Sequence, residues 1–62
     1  MLTADTITDK QIRNLLEMAK TEGHKAISYV CRIALDEGVV YQTPLRLREA
    51  RAKCAAIINR VM

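Results

Sequence analysis

Cys31 and Cys54 are the only thiols of the chain and His24 its only histidine, so a Cys–His nucleophile or a Cys/His metal site would have to rest on these three residues. A Cys–His nucleophile needs the imidazole within reach of the sulfur, because the thiolate and not the thiol attacks. His24 and Cys31 lie seven residues apart in one expected helix, and two helical turns separate their backbones by about 10 Å. Direct proton transfer is excluded at that distance. A structural zinc site takes four ligands, commonly supplied in closely spaced cysteine pairs, and no CxxC pair occurs here. No metal and no cofactor are therefore expected. Both cysteines fall within apolar helical stripes, where a free thiol packs as a small hydrophobe. Core packing is the expectation, and a disulfide between them stays open because spacing along the chain does not fix sulfur geometry.

Acid–base catalysis requires groups whose surroundings drive their pKa values apart. Asp5, Asp9, Glu17, Glu22, Asp36, Glu37 and Glu49 are the carboxylates, and they fall mainly at expected helix ends or on polar faces, open to solvent. The chain is accordingly expected to be neither an enzyme nor a receptor for a small-molecule substrate.

Charge placement says more than total charge. Ten Lys and Arg against seven Asp and Glu give a net charge of +3 and a pI near 9.2. That bias is compatible with nucleic acid and with ordinary solubility alike. Within residues 44–62, however, Arg46, Arg48, Arg51, Lys53 and Arg60 face only Glu49, a net of +4. On a helix, Arg46, Lys53 and Arg60 line one edge and Arg48 and Arg51 the other. Such a row contacts either phosphates or an acidic protein surface, or else is a solvated flank. Ala34 and Gly38 have the spacing of a helix-turn-helix, but the inner apolar position of its second helix would fall on Pro44, and the connection is longer than the usual three or four residues.

These side chains need helices to hold them. Thr8-Asp9-Lys10-Gln11 spells a capping box, with Ile7 and Ile12 placed as a hydrophobic staple. The first helix is expected over 9–22, with Ile12, Leu15, Leu16 and Ala19 on one face and Met18 off it. The second is expected over 24–37, carrying Ala26, Ile27, Val30, Cys31, Ala34 and Leu35, with Ile33 at the edge and Gly38 as terminator. Thr43-Pro44 supplies a cap and a first-turn proline for a third helix over 44–61, whose inward stripe is Leu47, Ala50, Cys54, Ile57, Ile58 and Val61. Short connections between amphipathic helices imply antiparallel neighbours. The fold class is all-α, a small three-helix bundle, with residues 1–62 as a single domain and residues 1–6 loose. No apolar run reaches the roughly 18 residues that crossing a bilayer requires, and no export signal opens the chain. Two cysteines without a disulfide framework fit a reducing cytoplasm.

A core built without Phe or Trp is thin, and in a chain this short apolar burial barely offsets the entropy of ordering. A protein partner or a second copy would add what the core lacks. The third helix offers the surface, since Leu45, Ala52, Ala55 and Ala56 lie away from its inward stripe. The expected partner-binding residues are Leu45, Arg46, Arg48, Ala52, Lys53, Ala56 and Arg60, with Met18 able to extend the contact. The alternative is a small nucleic-acid-binding protein that uses the same helix.

The runs Ile7-Thr8-Asp9-Lys10-Gln11-Ile12, Cys31 with Ala34-Leu35, and Ala50-Arg51-Ala52-Lys53-Cys54-Ala55 with Ile58-Asn59 resemble a group of short helical proteins encoded by phages and other mobile elements. In that group the pattern looks like ITDEQI, C-x-x-AL and ARAECA-x-x-IN, and Lys53 stands where the group often has Glu. The shared residues are caps and core positions, so the resemblance implies the fold and carries over no catalytic motif. It also implies a mobile-element setting, in which such folds serve as accessory regulators or inhibitors of host defence systems.

Overall fold

The computed structural model describes residues 1–61. Among them are three helices and no strand: α1 Asp9–Glu22, α2 Lys25–Ala34 and α3 Pro44–Val61. The helices pack as a small three-helix bundle in which α2 has extensive contact with both α1 and α3, while α1 and α3 touch less.

Each helix end has a local cause. Thr8 takes extended backbone angles, its hydroxyl accepts from the Gln11 amide at 3.2 Å, and the Gln11 side chain accepts from the Thr8 amide at 2.9 Å. The expected capping box is thus formed, and it contributes about 1 kcal/mol to helix stability. At the other end Gly23 adopts the left-handed conformation at φ 75°, which costs a residue without a Cβ little. Its amide reaches the Lys20 carbonyl and that of His24 reaches Ala19, the paired bonds that close a helix end.

α2 stops at Ala34, three residues short of the expected Glu37. Gly38 is not its terminator. Asp36 takes the left-handed position at φ 57°, its amide donates to the Ile33 carbonyl, and the Glu37 amide donates to that of Arg32. Aspartate tolerates this conformation better than most side chains, so the same closing motif forms two residues before the glycine. The connector is held by Gln42, whose amide nitrogen donates to the Ile33 carbonyl at 2.8 Å. Thr43 then caps α3 through a 3.1 Å bond from the Arg46 amide, with Pro44 at the first helical position.

The core is one cluster of Ile7, Ile12, Leu15, Cys31, Ile33, Ala34, Ala50, Cys54 and Ala55. It departs from the expected stripes at both flanks. Ile33 and Ala55, expected at the edge and on the outer face, are buried, whereas Ala26 and Val61, expected inside, are exposed. The N-terminal segment explains part of this shift. Residues 1–6, expected to be loose, make specific contacts with α3: the Leu2 amide donates to Asn59 Oδ1 at 2.9 Å, and Asn59 Nδ2 donates to the Leu2 carbonyl at 2.8 Å. A turn closed by Thr3 and Thr6 follows. It delivers Ile7, only 3% exposed, into the core, so α3 is covered on a side the helical pattern left open.

Candidate interaction surface

α3 turns Ala50, Cys54 and Ala55 inward. All seven residues expected to bind a partner, Leu45, Arg46, Arg48, Ala52, Lys53, Ala56 and Arg60, are exposed. Leu45 keeps 67% of its surface open to water, and Ala52 and Ala56 continue along the helix at steps of seven and four residues. On this face two methyl-sized side chains give a helix the room to approach, the usual interaxial distance being about 8–10 Å. Ala55, also expected there, is lost to the core.

The cations divide along the two expected edges, and one edge is engaged by the N-terminal segment. Arg48 forms a bidentate pair with Asp5, at 2.7 and 3.2 Å. Arg51 turns toward the N-terminal segment, where Nη2 donates to the Ile7 carbonyl at 2.7 Å and Nη1 to Asp9 at 3.1 Å and to the Ala34 carbonyl at 3.4 Å. Arg46 donates to the Tyr29 hydroxyl at 3.2 Å. Lys53 and Arg60 make no ion pair among the described residues. The row facing outward is Arg46, Lys53 and Arg60, while Arg48 is exposed but paired and Arg51 is the one cation of α3 that is partly buried.

A second apolar feature escaped the sequence pattern. Leu2, Leu15, Met18, Ile58 and Val61 line an open groove of about 610 Å³ at the C-terminal end of α3. Met18 is 37% and Val61 65% exposed. Met18 was identifiable from its place off the α1 stripe, but the groove exists only because Leu2 is tied beside α3.

His24 and the two cysteines stand in different surroundings. His24 is the residue before α2, exposed, with Nε2 3.5 Å from Glu22 Oε1, while Cys31 is fully buried. No group of three or more metal-ligating side chains occurs among the described residues. Cys31 and Cys54 meet in the core with their sulfurs 3.9 Å apart. Burial pushes both thiols up, Cys54 to about 12, with its neighbour Cys31 adding to the effect. A thiol whose pKa is raised by folding favours the folded chain fully below its unfolded value near 9, and that contribution fades as pH rises toward 12. Stability measured in urea at stepped pH should thus fall above pH 9 by up to about 1.4 kcal/mol per unit for Cys54, and Cys54→Ala should remove that share of the slope. An unchanged slope in the variant would contradict the burial of the Cys54 sulfur.

Against this geometry, neither a family model, nor a curated protein, nor a solved structure matches the chain.

Proposed function

We propose that this protein is a non-enzymatic helical interaction module that docks a protein partner on the outward face of α3. The observation that carries the reading is the combination on that face of Leu45, Ala52 and Ala56 with the cation edge of Arg46, Lys53 and Arg60, all exposed. An apolar strip narrow enough for helix contact, bordered by positive charge, complements a helical or extended partner surface with an apolar centre and an acidic border. A second copy of the chain is the other candidate occupant, with Glu49 available to a cation of its mate. The likeness of the capping and core runs to phage-encoded proteins supports a role as an accessory protein of a mobile element, of the kind that regulates or inhibits host defence.

Ala52→Glu/Ala56→Glu tests the reading, because both positions are exposed and the helix tolerates glutamate. Stability should change by no more than about 0.5 kcal/mol. Capture of a specific partner from lysate of the source cell, or self-association followed by sedimentation, should weaken at least tenfold. A monomer that captures nothing, or a partner retained equally by the variant, would sink the proposal. Nucleic-acid binding is separated by salt: three outward cations limit the slope of log affinity against log salt to about −2.7, and absence of duplex binding at about 50 mM salt ends that alternative.

A further inference from the structure

We propose that Cys31 and Cys54 form a dithiol–disulfide site inside the bundle, at which oxidation by a low-molecular-weight disulfide joins α2 to α3 within one chain. The two sulfurs lie 3.9 Å apart on different helices, and neither residue is exposed. A disulfide bond measures about 2.05 Å, so the sulfurs need to approach by about 1.9 Å. Side-chain rotation with a small closing of α2 on α3 supplies that movement. The surroundings favour it: Ala34, Ala50 and Ala55 belong to the same buried cluster, and small side chains permit close helix approach. Two facing thiols also form a complete set for this chemistry, needing no third residue.

The exchange balances in two steps. One cysteine thiolate attacks a sulfur of the external disulfide, forming a mixed disulfide and expelling one thiolate. The second cysteine thiolate then attacks the protein sulfur of that mixed disulfide, the Sγ–Sγ bond forms, and the second external thiolate leaves. The two thiol protons end on the released thiols, the protein loses two electrons and the oxidant gains them. Because both sulfurs are enclosed, the first attack passes through an opened bundle, and low concentrations of urea should accelerate it. The staple would fix α2 against α3 and leave Leu45, Ala52 and Ala56 facing outward, so it concerns the rigidity of the scaffold and stands apart from the docking reading.

The test is a redox equilibrium of the purified full chain in buffers of oxidised and reduced glutathione, read by alkylation and intact mass. The expected product is a monomer lighter by two hydrogens with no alkylatable thiol, absent in Cys31→Ala and Cys54→Ala. Its formation constant in native buffer should exceed that in concentrated guanidinium chloride by roughly tenfold to a hundredfold, the effect of closing a loop of this size. Reduction should lower Tm by about 5–15 °C. A constant no greater in native buffer than in denaturant would overturn the proposal, because the fold would then resist the bond. Glutathione adducts or intermolecular disulfides as the main equilibrium products would overturn it as well.

Discussion

Replacing Arg51 by methionine should destabilise the protein by about 2–4 kcal/mol, the largest effect expected of any polar residue in the chain. Methionine keeps the apolar stem and removes the guanidinium. That group joins three segments at one point, holding the carbonyl of Ile7 ahead of α1, the carbonyl of Ala34 at the end of α2, and Asp9 in the first turn of α1. The Arg51 side chain is 24% exposed but Asp9 is 69% exposed, so the ion pair itself contributes little. The bonds to the two carbonyls carry the effect. Both are partly buried, and an acceptor left without a partner in such a place costs about 1–3 kcal/mol. Arg48→Met is the comparison. Its pair with Asp5 is 62% and 69% exposed, and pairs of that kind contribute about 0–1 kcal/mol. Urea unfolding followed by circular dichroism should therefore separate two arginines three residues apart on one helix. Equal small losses for both would refute the anchoring role of Arg51. Arg51→Lys should fall between, since an ammonium keeps the charge but lacks the fork that reaches Ile7 and Ala34 together.

The second large effect is at Ile12. This side chain is fully buried, one turn into α1, where the capping box sets the start of the helix and hence the direction in which position 12 points. Ile12→Ala should cost about 2–5 kcal/mol, from lost transfer energy and from the cavity left behind. A domain this size has a total stability on the order of 3–9 kcal/mol, so the substitution takes a large share and should leave part of the population unfolded without denaturant. Loss of helical ellipticity at room temperature and collapse of amide dispersion would report it. Ile12→Val, which removes one methyl, should cost about 1 kcal/mol. Val61→Ala, at a position 65% exposed, should change stability by less than about 0.5 kcal/mol. A loss below about 1 kcal/mol for Ile12→Ala would mean that the core centres elsewhere.

The two arginines also show where reading a chain residue by residue gives out. Arg48 and Arg51 look alike in sequence, on the same edge of an amphipathic helix and equally suited to a phosphate or an acidic partner. Both meet the segment before and at the start of α1, but Arg48 finds only the exposed carboxylate of Asp5 whereas Arg51 reaches the Ile7 and Ala34 carbonyls, and nothing within a few positions of either arginine announces that difference. The same segment brings Leu2 to the groove around Met18. A second lesson comes from Asp36. Glycine is the ordinary left-handed terminator, so Gly38 is the natural end of α2, yet aspartate fills that position two residues earlier and α2 is the shorter for it. The energetic difference between the two residues there is about 1 kcal/mol, small enough for the packing of Leu35 and Val39 against the core to decide.

Three helices, the capping box at Thr8, the left-handed end at Gly23, the cap and proline that open α3, and the exposure of Leu45, Ala52 and Ala56 are all legible in the order of residues. Each of these is written within one or two helical turns, where the competing interactions are local and their spacing is fixed by 3.6 residues per turn. Tertiary structure alone decided that Asn59 holds Leu2, that Arg51 reaches Ile7, and that the sulfurs of Cys31 and Cys54 meet. Those partners are 57, 44 and 23 residues apart in the chain, and their pairing depends on how three amphipathic cylinders settle against one another. Helical period fixes which side of a helix is apolar, but the depth to which that side sinks, and what is left to cover its flanks, follows from the packing of the whole.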